Sequence, residues 1–113
     1  MTYLDYSETT PVNEEVLESF CQVSRKYIGN PNSLHRLGTE ANEMINKATK
    51  QIADILKVKP SEIIYTSGSS ESNNLVLKGI AEKNREFGNH IIISAVEHSS
   101  IIAPCNYLQT KGF

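Results

Sequence analysis

Thr66-Ser67-Gly68-Ser69-Ser70-Glu71 is the segment with the clearest capacity for chemistry. It follows a β-branched and aromatic run and precedes a helical pattern, so it reads as a strand, a tight loop and a helix start. The first amides of a helix lack internal partners and carry partial positive charge. Gly68 lets the backbone approach a ligand closely, and the hydroxyls of Ser69 and Ser70 add donors. Together these groups make a cradle for a phosphate. A serine-capped helix with no ligand explains the same residues. The loop has neither the lysine of a Walker loop nor the glycine spacing of a dinucleotide loop.

The second candidate is His98, in Ala95-Val96-Glu97-His98, just past a second apolar run. Ligands in open α/β sheets gather beyond the carboxyl ends of strands. The Gly/Ser loop lies at the same edge, so the loop and His98 are expected to be neighbours. An imidazole there can stack on a planar ring or move protons near neutral pH. A partly exposed loop histidine is the plainer alternative. The third segment, Gly29-Asn30-Pro31-Asn32-Ser33-Leu34-His35, is rich in turn formers. A structural lead into a helix explains most of it, and its polar groups also suit a loop bordering a site.

The elements that must position these residues follow from periodicity. Tyr3-Leu4-Asp5-Tyr6 reads as a short β-like start before a turn-prone stretch ending at Pro11. Asn13 is a plausible N-cap, with Glu14 and Glu15 at the positive helix end. Val16, Phe20, Val23 and Tyr27 then form one apolar stripe. Gly29 fits the left-handed position past that helix, and Pro31 prevents continuation. Leu34, Leu37, Ala41, Met44, Ala48, Ile52 and Ile55 recur at helical steps and read as core packing. Asn32 or Ser33 can cap that helix, and Glu43 precedes Lys47 at the spacing of a modest ion pair.

Residues 63–66 and 90–94 read as strands, the second apolar on both faces as in a buried parallel sheet. A helix is expected from Glu71 to Glu86, with Leu75, Val76, Ile80 and Ala81 apolar. Another begins near Ser99, with Ile101, Ile102, Cys105 and Leu108 inward and an irregularity at Pro104. Residues 111–113 look like a turn. The order strand, helix, strand, helix is a βαβ unit, which closes right-handed. Two strands do not build a self-sufficient sheet. The fold class expected is therefore α/β, the opening part of a larger domain with an incomplete sheet.

Composition narrows the function classes. The chain has 113 residues, 11 basic and 13 acidic, for a net charge of -2. No basic stripe marks a nucleic-acid module. No apolar run approaches the ~20 residues of a membrane span, and the start of the chain lacks the regions of a signal peptide. An intracellular, cytoplasmic protein is expected. Cys21 and Cys105 form no Cys-x-x-Cys pair, and nothing has metal-ligand spacing, so no metal site is expected.

Several segments together resemble the N-terminal part of the cysteine desulfurases, pyridoxal-phosphate enzymes of the class V aminotransferase group. They are Tyr3-Leu4-Asp5-Tyr6-Ser7 with Thr9-Thr10-Pro11, then residues 29–35, then residues 64–71 with Asn73-Asn74-Leu75, and Glu97-His98. They match in order across nearly the whole chain. The resemblance implies the large domain of a fold-type I pyridoxal-phosphate-dependent transferase, with residues 1–12 as an N-terminal arm and 13–113 as part of the cofactor-binding domain. It implies that Ser69 and Ser70, where the family usually has Ala-Thr, bind the cofactor phosphate. His98 matches the histidine that stacks on the pyridoxal ring and is a candidate for proton transfer. Glu8 stands where the family usually has Ala.

The resemblance further implies transfer of sulfur from L-cysteine to an enzyme cysteine as a persulfide, with release of L-alanine, for iron-sulfur cluster or other thio-cofactor synthesis. A homodimer and a sulfur-acceptor scaffold protein are the implied partners. No residue up to Phe113 matches the family's Schiff-base lysine, its pyridine-pairing aspartate or its sulfur-carrying cysteine, so these 113 residues alone are expected to be inactive. Two other readings stay open: a non-catalytic association fragment or degenerate paralogue, and another class V enzyme such as a selenocysteine lyase or aminotransferase.

Overall fold

The computed structural model describes residues 2–113. They contain four α-helices: α1 (Glu14–Lys26), α2 (Arg36–Leu56), α3 (Ser69–Lys83) and α4 (Ser99–Thr110), with a 3-10 turn at Pro60–Glu62. The chain divides into two compact units, one ending at Ile63 and the other spanning Ile64–Phe113.

In the first unit residues 6–8 form a turn and residues 3–5 are not a strand, where a β-like segment was expected over residues 3–6. The Asp5 carbonyl accepts from the amides of Glu8 and Thr9 and from the Tyr3 hydroxyl. A carbonyl with those local donors has no need of a neighbouring strand. α1 begins where Asn13 caps it, Oδ1 accepting from Glu15 at 2.9 Å and Val16 at 3.3 Å. Its stripe is present, but Val16 and Phe20 remain exposed, and among the described residues no other helix packs on it.

Gly29 is not left-handed, since among the described glycines only Gly112, at φ 90, lies in that region. Its reason is space: a Cβ there would lie 2.4 Å from the Leu37 carbonyl carbon. The loop that follows is folded onto the start of α2. Asn30 Oδ1 accepts from the Asn32 amide, Ser33 N–H donates to the Asn30 carbonyl, and Asn42 Nδ2 donates to the Pro31 carbonyl. Buried Gly38 completes the contact, because a Cβ there would sit 2.3 Å from the Ser33 carbonyl oxygen. The cap of α2 is His35, not Asn32 or Ser33, with Nδ1 accepting from the Gly38 amide at 3.3 Å. The turn at 30–33 uses those earlier residues and pushes the helix start onward.

On α2 the ion pair is Arg36–Glu40, at 3.0 Å and solvent-exposed, in place of Glu43–Lys47. Such a pair contributes little to stability. Of the expected core stripe only Ala41 is buried, Ala53 outside the stripe is buried as well, and Ile55 is 79% and Leu34 100% exposed. Among the described residues of its unit, the 3-10 turn and the loop are what pack on this helix. Lys57, in the left-handed conformation at φ 56, ends α2. Its amide and that of Val58 close on carbonyls of the last turn.

In the second unit α3 packs along α4. α3 starts at Ser69 and ends at Lys83, earlier at both ends than expected. Leu108 of α4 is fully buried, Ala81 of α3 is buried, and Ile101, Ile102 and Cys105 are partly covered. Pro104 is buried and α4 runs through it without a break. The chain end is held as a turn: Arg85 Nη2 donates to the Lys111 carbonyl at 2.7 Å, Asn89 Nδ2 donates to the Gly112 carbonyl at 3.0 Å, and the guanidinium lies over the Phe113 ring.

Among the described residues there is no strand, at 63–66 and 90–94 or elsewhere. A strand exists through a ladder with a neighbouring segment, and no such ladder joins these two runs. Ile64 is 69% and Ile92 85% exposed, so the surfaces meant for burial stand open. The segments keep the order of the α/β motif, with its helices formed and its sheet hydrogen bonds unmade.

Candidate functional site

The serine bend is built by Glu71. Its Oε2 accepts from both the backbone amide and the hydroxyl of Ser67, each at 2.7 Å. These bonds, the backbone one first, hold its carboxyl below the ordinary carboxylate value of 4.5. Thr66 and Ser72 join their hydroxyls at 2.7 Å, closing the other side of the bend. Gly68 is the N-cap position, and a Cβ on it would meet nothing within 4 Å. The open space over Gly68 is therefore not filled by the protein.

The first helical hydrogen bond of α3 runs from the Ser72 amide to the Gly68 carbonyl. Among the described residues no group accepts from the amides of Ser69, Ser70 or Glu71. Three donors beside the positive end of a helix suit an anionic oxygen cluster. The Glu71 carboxylate is turned back onto Ser67.

His98 caps α4. Its Nδ1 accepts from the Ser100 amide at 3.2 Å and lies 2.9 Å from the Ser100 hydroxyl. Ser100 in turn receives Asn73 Nδ2 at 2.8 Å, which ties the start of α4 to the second turn of α3. The bend and the histidine thus share one end of the helix pair. Ser70 lines an open groove together with Asn74, Lys78, Ser99, Ser100 and Tyr107. The Lys78 ammonium covers the Tyr107 ring at 4.8 Å.

Ser69, Ser70 and His98 are accordingly in one unit and at neighbouring helix starts. Glu71, Asn73 and Ser100 are the residues whose work the sequence did not disclose. Ser67 and Glu71 stand one residue farther apart than a capping box, the nearest recognisable pattern. Nothing local pairs Asn73 with Ser100 across 27 positions. The Gly-Asn-Pro segment and Glu8 lie in the first unit, where the segment is the loop clamped on α2 and Glu8 sits in an exposed turn. Cys21 and Cys105 are free and partly buried. Among the described residues no three His, Cys, Asp or Glu side chains gather to hold a metal ion. None of the helices is long and apolar enough to cross a membrane.

Comparison with known proteins agrees over the full length. The family Aminotransferase class-V matches residues 2–113. The chain is 42% identical to a protein named cysteine desulfurase IscS 1 of Archaeoglobus fulgidus, covering 100% of this chain and 30% of that protein. It is 47% identical to the NifS/IcsS protein homolog of Lactobacillus delbrueckii, covering 29% of it. A solved NifS-like protein superposes with a TM-score of 0.84 at 42% identity, over 94% of this chain and 29% of that one. The chain thus spans about three-tenths of the length of these relatives. Proteins of this family generally use pyridoxal phosphate. The chain belongs to the class-V aminotransferases and corresponds to the N-terminal portion of the members named cysteine desulfurase.

Proposed function

We propose that this chain is the phosphate- and ring-holding segment of a cytoplasmic cysteine desulfurase, a homodimer that takes sulfur from L-cysteine and passes it as a persulfide toward an acceptor scaffold. In this reading residues 1–12 are an arm and 13–113 part of the cofactor-binding domain. The supporting observation is the meeting of two helix starts, one with unused amides over an open glycine and the other capped by an exposed imidazole.

The residues present fit pyridoxal phosphate. The amides of Ser69, Ser70 and Glu71 and the Ser70 hydroxyl are donors for its phosphate, and the His98 ring is the planar group for its pyridine face. When bound, that cofactor supplies an electron sink for bonds at the substrate's α-carbon. This chain's own groups bind and orient. Glu71 fixes the bend before the anion arrives, so less ordering is required on binding. His98, with Nδ1 committed to α4, leaves Nε2 as the nitrogen that stacks with the ring and exchanges a proton. The 113 residues alone offer no lysine in the family's context and are inactive in this reading.

The test is a chimera in which this chain replaces the matching segment of the Archaeoglobus fulgidus relative. Stoichiometric cofactor absorbance and alanine release from L-cysteine are expected. Replacing Ser70 by Ala in that chimera is expected to weaken cofactor retention about 10- to 100-fold, the scale of one charge-assisted hydrogen bond. A chimera fully loaded with cofactor that releases no alanine overturns the reading.

A further inference from the structure

We propose that Asn73, acting through the Ser100 hydroxyl, holds His98 in the tautomer that carries its proton on Nε2. The argument is one of donors and acceptors. The Ser100 backbone amide can only donate, and it points at Nδ1 from 3.2 Å, so Nδ1 presents a lone pair. The Ser100 hydroxyl lies 2.9 Å from the same nitrogen. Two lone pairs facing at that distance repel, so the hydroxyl proton must point to Nδ1. Its oxygen then needs a donor from elsewhere, and Asn73 Nδ2 provides it at 2.8 Å. Ser100 is buried, which keeps bulk water from substituting in either bond. The polarity runs one way, from the Asn73 amide through the hydroxyl to the imidazole. The neutral ring is left with its N–H on Nε2, on the side of the ring away from α4.

Asn73 and Ser100 are positioning residues, and their use in catalysis rests on the role proposed above for His98. The tautomer is a property of this chain without any cofactor, so the two ideas fail separately. The Ser100 amide already requires a lone pair on Nδ1, and Asn73 reinforces that requirement by setting the direction of the Ser100 hydroxyl. An aspartate of the same shape would accept from the Ser100 hydroxyl and turn the Ser100 oxygen lone pair onto Nδ1.

The test is nitrogen-15 NMR of the histidine-labelled 113-residue chain at about pH 8.5, above the ordinary histidine value of about 6.5. The His98 signals are identified by their loss in His98→Gln. The wild-type chain is expected to show the Nε2–H pattern predominantly. Asn73→Asp, which turns the hydroxyl lone pair onto Nδ1, is expected to raise the minor Nδ1–H share several-fold. Ser100→Ala, which keeps the backbone amide, is expected to raise it by less, while Ser100→Thr retains the wild-type pattern because its hydroxyl is kept. Helix content by circular dichroism serves as the folding control for each variant. If Asn73→Asp does not fold, Ser100→Ala against Ser100→Thr decides. A wild-type chain with the proton on Nδ1 overturns the proposal, as does an unchanged ratio in folded Asn73→Asp and Ser100→Ala.

Discussion

At the scale of single residues, the serine bend shows how a side chain outside the obvious motif organises it. Glu71 is exposed, yet both donors of Ser67, its amide N–H and its hydroxyl, converge on one carboxylate oxygen. Because the folded carboxyl titrates below 4.5, the clamp contributes fully above that value and is lost as pH falls through the lower folded value. A carbon-13 titration of Glu71, read with the exchange rate of the Ser67 amide, is expected to show both changing together in that acidic window. Glu71→Gln is expected to remove the pH dependence of the Ser67 amide. His98 carries a second lesson at this scale: a histidine read as a ring for stacking is at the same time a helix cap, and the cap leaves Nε2 as its outward nitrogen.

At the scale of elements, caps and close approaches dominate. Asn13 satisfies two first-turn amides of a helix that has no buried residue, so α1 depends on its cap more than a packed helix would. Asn13→Ala is expected to cost about 1 kcal/mol of local helix stability, seen as faster exchange at Glu15 and Val16. Gly38→Ala tests the loop clamp. The added methyl would meet the Ser33 and Asn30 carbonyl oxygens at 2.3 and 2.6 Å, both backbone atoms. Destabilisation of about 1–3 kcal/mol is expected from such overpacking, measured by urea unfolding of the first unit. The helical periods, the Asn13 cap and the four helices themselves were readable from spacing. The His35 cap was not, because which polar residue caps α2 depends on how the preceding turn spends Asn30 to Ser33.

For the whole molecule, the described residues bury few large side chains. Among them only Leu108 is a large apolar residue with essentially no exposure, while Phe87 is 88% and Val96 92% exposed. Apolar surface on that scale binds something. The 113-residue chain in isolation is expected to bind a hydrophobic dye and to self-associate in sedimentation. A dye-silent monomer with one cooperative unfolding transition would contradict this. The relatives of which the chain covers about three-tenths are consistent with these faces being covered by other parts of such a protein.

The amino-acid order was sufficient for the family, the helices and the residues of the serine bend. Helical stripes, cap chemistry and a loop of glycine and serine are local, set by residues a few positions apart. What it left open was non-local. Whether residues 63–66 and 90–94 become strands depends on neighbours that supply ladder hydrogen bonds, and no apolar pattern contains those. That Asn73 reaches Ser100, and through it fixes the face His98 presents, was decided only when α3 and α4 packed together. Hydrogen-bond direction is a property of atoms brought within 3 Å of one another, and only the folded chain brings them there.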